Sequence, residues 1–142
     1  MEKKVIVVNF KNYKEAIGKN AVKLAKNLDR KNVWLIVNAI DLKDIEKAVK
    51  FSKVLVEHAD ATEKIPKTGA ITFAEVKTAE AYGVLLNHSE RRIPFKEIKK
   101  GIEIAGKYKL KMIVSSNNLK EALKISKLKP DYVAIEPPEL IS

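Results

Sequence analysis

The sequence predicts an α/β fold of about six short parallel strands alternating with helices, and three observations carry that reading. Uniformly apolar runs such as Val84-Leu85-Leu86 are too short for helices and too apolar for half-exposed strands, so they fit strands buried on both faces. Between them, apolar residues recur at helical spacing. The runs end at Asn9, Asn38, Glu57, Asn87, Ser115 and Glu136, which are 19 to 30 residues apart with no long linker. Serial repetition with right-handed crossovers puts every strand end on one side of the sheet. Residues 1–142 are expected to form a single domain.

Taken in order, Val5 to Val8 is the first strand. Ala21, Leu24, Ala25 and Leu28 then form one inward stripe of a helix. Val33 to Val37 is the second strand, and Asp41 is placed to cap a helix whose inward face is Leu42, Ile45, Ala48 and Val49. Val54 to Val56 is the third strand. A polar stretch from His58 to Ala70, with Pro66 and Gly69, reads as a long loop, and long loops in compact domains tend to be functional. Phe73 to Tyr82 reads as a helix stopped by Gly83, which also begins the fourth strand. Pro94 suits the first turn of a helix facing inward through Ile98, Ile102 and Ala105. Met112 to Val114 is the fifth strand. Asn118 with Glu121 caps a helix through Leu119, Ala122, Leu123 and Leu128, and Tyr132 to Ile135 is a sixth strand halted by Pro137 and Pro138.

Composition bounds the function. A chain of 142 residues with 46% hydrophobic and 32% charged residues can bury a sizeable core. It has no cysteine, which excludes disulfides and thiolate metal or redox sites. No apolar run approaches the roughly 18 residues of a membrane span, and Met1-Glu2-Lys3-Lys4 leads straight into a strand rather than a leader. A cytoplasmic location and no membrane partner are expected. The net charge is +10, yet of 28 basic residues only Arg30, Arg91 and Arg92 are arginine. Lysines such as Lys19, Lys23, Lys43, Lys47, Lys120 and Lys124 interleave with the apolar stripes. They form a solvated outer face that lacks the arginine forks and aromatic platforms of nucleic-acid binders. Such basicity helps to attract an anionic substrate.

The sharpest feature is Gly83-Val-Leu-Leu-Asn-His-Ser-Glu-Arg-Arg92, where an apolar strand stops at His88. The carboxyl edge of a parallel sheet is where ligands bind, because loops and helix N-termini converge there. On this stretch alone, a loop histidine beside a solvated charge cluster is an equal reading, and Glu90, Arg91 and Arg92 also fit a surface ion-pair cluster. His58 with Glu57, Asp60 and Glu63 lacks the tight spacing of a metal site. No metal and no cofactor are expected.

His88-Ser89-Glu90-Arg91-Arg92 after an apolar strand resembles the electrophile motif of the triosephosphate isomerase family. Asn9-Phe10-Lys11 is similar to that family's Asn-x-Lys, and Tyr132 to Ile141, with Glu136-Pro137-Pro138, resembles the archaeal form of the strand carrying its catalytic glutamate. Motif order and spacing also match, from about Val5 to Ile141. The resemblance implies a (β/α)8 barrel, here incomplete with six of eight strands, and interconversion of dihydroxyacetone phosphate and glyceraldehyde 3-phosphate. It further implies Glu136 as base, His88 as electrophile, Lys11 as the anion's partner and Asn9 and Ile141 as substrate contacts, supported by Glu90 and Ser89. The implied histidine is neutral, its pKa lowered by a helix N-terminus, and this family is itself the standing example of that effect.

The sequence also departs from the family pattern. Glu57 stands where archaeal relatives tend to carry glutamine. Lys64-Ile65-Pro66-Lys67 replaces small residues of an intersubunit loop whose Thr-Gly tip Thr68-Gly69 resembles. The lid that starts at Pro137-Pro138 reaches only Ile141-Ser142, with serine where a glycine would stand. Six strands cannot close such a barrel, so the first and sixth would expose unpaired apolar edges. Two functions stay open: an isomerase needing a complementary C-terminal barrel piece, a homo-oligomer or both, and an inactive barrel fragment serving as an assembly or protein-binding module.

Overall fold

The structure is a computed structural model that describes residues 4–141; Met1, Glu2, Lys3 and Ser142 lie outside the described residues. Six strands, β1 (Ile6–Asn9), β2 (Val33–Val37), β3 (Lys53–Val56), β4 (Gly83–Leu86), β5 (Lys111–Ser116) and β6 (Tyr132–Ile135), form one sheet. Its order follows the sequence, and each adjacent pair is parallel. The crossovers carry α1 (Gly18–Leu28), α2 (Leu42–Ala48), α3 (Phe73–Thr78), α4 (Phe95–Tyr108) and α5 (Leu119–Ser126).

Alternation along the strands separates two apolar layers. Leu35, Val37, Val54, Val56, Val84, Leu86, Met112 and Val114 pack with the helices in the main core, while Trp34, Ile36, Leu55, Leu85 and Ile113 cluster on the opposite face. That second face is concave. Trp34 on β2 meets Tyr132 on β6 edge to face, with ring centroids 5.2 Å apart. In a flat sheet these strands would be about 19 Å apart, at four interstrand spacings. The sheet is therefore rolled into a partial barrel, with an opening between β1 and β6.

The opening leaves apolar surface uncovered. Ile6 and Val7 on β1, and Tyr132 and Ile135 on β6, are each about half exposed. On α5, Leu119 and Leu123 point outward rather than into the core; Ala122 and Ile125 are its buried residues. The helix expected through Leu119, Ala122, Leu123 and Leu128 ends at Ser126, so Leu128 lies beyond it.

Three other expectations are corrected. Asp41 does not cap α2 with its side chain. Its carboxylate instead accepts from the N–H of Gly18 and from Asn38 Nδ2, each at 2.8 Å, tying α1 to the end of β2. Helix α3 stops at Thr78, and the left-handed residue beyond it is Glu80, with φ of 68°. Gly83 serves a different purpose, since a Cβ there would lie 2.2 Å from the Lys111 carbonyl oxygen. Only glycine lets β4 run this close to β5. Pro94 sits at the N-cap of α4, one residue before its first turn.

Candidate active site

Two left-handed residues aim the polar side chains at the sheet's carboxyl edge. Beyond β1, Lys11 has φ of 49°, and its N–H donates to Asn9 Oδ1 at 3.0 Å. Beyond β4, Asn87 has φ of 62°, a conformation asparagine tolerates better than most residues. The buried Asn87 side chain donates to the Ser115 carbonyl at 2.9 Å and accepts from the Ile93 N–H at 3.1 Å. Both bonds hold the turn that delivers His88, itself only 8% exposed, into the site.

Two groups of Glu90 meet His88 Nδ1: the carboxylate Oε2 lies 3.3 Å away, and the tautomer is assigned from the backbone N–H. The backbone N–H of Glu90 donates to Nδ1 at 3.1 Å, so Nδ1 offers its lone pair and the ring proton lies on Nε2. Nε2 faces Glu136 Oε2 at 3.5 Å. On the other carboxylate oxygen, Ser115 Oγ donates to Glu136 Oε1 at 3.0 Å, while Oε2 is buried without a hydrogen-bond partner. A carboxylate with one oxygen anchored and one free, beside an N–H donor, can take a proton from one atom while an adjacent oxygen is polarised.

On the opposite side of His88, Lys11 Nζ lies 3.2 Å from Glu90 Oε1. A cavity of about 420 Å³ opens here, lined by Asn9, Lys11, Glu57, His88, Glu90 and Arg91 among others. Glu136 flanks this cavity through its contact with His88 rather than lining it, and Ile141 does not line it either. Ile141 follows a 3₁₀ turn (Pro138–Leu140) and donates its N–H to the Pro138 carbonyl at 3.2 Å. Ser89 Oγ is buried without a partner. Arg92 pairs with Glu121, whose other oxygen accepts from the Asn117 N–H at 2.7 Å. His58 Nε2 is 3.1 Å from Asp60 Oδ1, and burial lowers its pKa against the opposing pull of that carboxylate. Among the described residues, no three histidine or acidic side chains converge as a metal-ligand set.

Sequence reasoning missed three contributors. Ser115, like Asn38, read as a polar strand end without a task, and Asn87 only as a strand end, because the bond from Ser115 to Glu136 and the bond from Asn87 to the β5 carbonyl exist only once the strand register is set. Glu57 was noted as a departure without a task. Burial, with the nearby Glu90 charge second, pushes its carboxyl up to about 7.

With the geometry in place, comparison with known proteins decides the ancestry. The sequence profile of triosephosphate isomerase matches residues 4–142. The chain belongs to the triosephosphate isomerase family. It is 37% identical over 147 residues to the triosephosphate isomerase of Methanothermus fervidus, which covers 99% of this chain and 66% of the relative. It is 38% identical over 146 residues to that of Methanobacterium bryantii, covering 99% of this chain and 64% of the relative. It is 36% identical to that of Archaeoglobus fulgidus, covering 96% and 64% respectively. The chain thus spans just under two thirds of the length of these relatives. Its fold is similar to the crystal structure of triosephosphate isomerase from Bartonella henselae, with a TM-score of 0.69 at 19% identity, over 87% of this chain and 55% of that one. The rolled six-stranded sheet is therefore a partial barrel of this family.

Proposed function

We propose that this chain forms the catalytic face of a triose-phosphate isomerase, interconverting dihydroxyacetone phosphate and glyceraldehyde 3-phosphate once β1 and β6 are covered by further strand-helix units. The observation that carries this reading is the apposition of His88 Nε2 and the unpartnered Glu136 Oε2 at 3.5 Å. Family membership supports it, as does the retention of Asn9, Lys11, His88, Glu90 and Glu136 together.

In the proposed reaction Glu136 Oε2 takes a proton from the carbon beside the carbonyl. The Nε2–H of His88 donates to the carbonyl oxygen and strengthens its bond as the enediolate charge grows. Glu136 then returns the proton to the neighbouring carbon, while His88 Nε2 gives its proton to the former carbonyl oxygen and takes the hydroxyl proton of the carbon that becomes the new carbonyl, so that all protons are conserved. Lys11 faces the substrate's negative charge, Asn9 orients an oxygen, and Glu90 keeps Lys11 in place through the 3.2 Å ion pair. Ile141 packs on the substrate from the lid side, Ser89 supports the histidine turn, and no cofactor takes part.

A second reading rests on the half-exposed β1 and β6 edges: an inactive barrel fragment that acts as an assembly or protein-binding module. One experiment separates the two. The chain is mixed with a polypeptide that supplies two further strand-helix units, and isomerisation is assayed alongside the mass of the assembly. Activity that appears with a defined stoichiometry supports the isomerase. A stable complex without turnover rejects it in favour of the module.

A further inference from the structure

One acidic side chain in the cavity has no part in the proposed reaction. Glu57 follows β3, held by its N–H donating to the Val37 carbonyl at 2.9 Å, and this places its carboxyl in the cavity with Lys11 and Glu90. Glu57 Oε1 is buried and has no hydrogen-bond partner.

Among the described residues, the groups around Glu57 leave it no spare cation. From the end of β1 comes Lys11, already 3.2 Å from Glu90 Oε1. From β2 comes only the neutral Asn38, whose amide nitrogen donates to Asp41 at 2.8 Å. The β4 end brings His88, Glu90 and Arg91, and the Arg91 guanidinium lies 3.7 Å from Asp60. On the same loop as Glu57, His58 also faces Asp60. Each cation has one carboxylate, so an ionised Glu57 adds an uncompensated negative charge. Its carboxyl is accordingly raised to about 7, by burial first and Glu90 second.

We propose that Glu57 is a positioning residue that couples the capture of an anion at Lys11 to the uptake of a proton from solvent. This rests on the reading of Lys11 as the anion's partner. With Glu57 neutral, cavity charges balance and Lys11 can exchange Glu90 for an oxygen of the anion. With Glu57 ionised, a second carboxylate charge beside Glu90 repels the anion. The proton goes to the Glu57 carboxylate, and no bond to the ligand forms or breaks.

Sulfate is a suitable probe, because its charge is constant across the range tested and its binding is independent of isomerase chemistry. Titrated into the full chain and followed by NMR at Lys11 Cε, it should bind about tenfold more weakly at pH 8.5 than at pH 6, the order of effect of one nearby unit charge in a half-solvated cavity. Glu57→Gln should bind with nearly the same affinity at both pH values, and Glu57→Asp should restore the dependence. By reciprocity, saturating sulfate should raise the midpoint of the Glu57 carboxyl ¹³C titration in the unsubstituted chain, a measurement that needs no variant. Equal pH dependence in the unsubstituted chain and Glu57→Gln, no sulfate binding at pH 6, or a Glu57 midpoint that ignores sulfate would each overturn the proposal. A completed barrel without turnover that still shows the linkage would sink the isomerase reading alone.

Discussion

His88 Nε2 and Glu136 Oε2 face each other at 3.5 Å from β4 and β6, with β5 between their strands. Two interstrand spacings, about 10 Å, separate their strands, a gap that these two long side chains span across the end of β5. In a completed barrel, Glu136→Gln keeps the shape of the side chain and removes its basicity. Turnover should fall by at least about a thousandfold, with the fold unchanged by circular dichroism. A rate close to that of the parent would transfer the base to another residue.

Ser115 is the hidden half of that arrangement. Its hydroxyl occupies Glu136 Oε1 at 3.0 Å and leaves Oε2 as the free oxygen. In Ser115→Ala the carboxylate loses this anchor, so kcat in the completed enzyme should drop about tenfold while KM changes little. Ser115→Thr, which keeps a hydroxyl, should recover part of the loss. An equal drop in both variants would assign the effect to packing.

The six strands were legible because each reads as an apolar run between polar ends, the four inner ones being buried on both faces. His88 and Glu136 were legible as motif residues at two of those ends. What the sequence could not convey was which polar end residue touches which. Asn38, Asn87 and Ser115 look alike until the register places Ser115 beside Glu136 and Asn87 beside the β5 carbonyl. Asp41 was misread for a related reason, since a local cap and a tie to the distant Gly18 N–H use the same carboxylate. Leu119 and Leu123 have the spacing of a buried stripe, but the face they form lies beside the uncovered edge.

Gly83 gives a stability test that is independent of any catalytic role. A methyl group there would sit 2.2 Å from a backbone oxygen of β5, and backbone cannot swing aside as a side chain can. Gly83→Ala should therefore cost about 3 kcal/mol or more, by forcing β4 and β5 apart. Gly106→Ala is the control, because nothing lies within 4 Å of its added Cβ and the site is helical. It should be neutral or stabilising by up to about 1 kcal/mol. Urea midpoints of the two variants check both outcomes, and equal effects would contradict the strand-contact argument.

Glu57 also predicts the pH dependence of stability. Its folded carboxyl is raised from 4.5 to about 7, so between these values the folded state binds more protons than the unfolded state. Stability from this group is therefore greatest below about pH 4.5, declines as pH rises through 7, and then levels off. Glu57→Gln should flatten that decline and have a higher urea midpoint than the parent at pH 8. A parent whose midpoint rises between pH 5 and pH 8, with no difference in the variant, would show that Glu57 is ionised throughout.

The uncovered edges make the last prediction. Ile6 is 56% exposed on β1 and Ile135 is 49% exposed on β6, and both strands present unpaired backbone groups on their outer side. Parallel edges of this kind pair with whatever strand reaches them, and apolar side chains on both faces add to the attraction. The 142-residue chain alone should self-associate at micromolar concentration, in a manner that salt barely weakens because burial of apolar area drives it. The pair Ile6→Lys and Ile135→Lys places a charge on each edge while leaving the buried layers intact. It should weaken association by about tenfold or more in sedimentation equilibrium, and thermal unfolding of the dissociated chain should remain cooperative. A parent chain that sediments as a monomer at all these concentrations would show that the edges are closed to pairing, and the lysine pair would then change nothing.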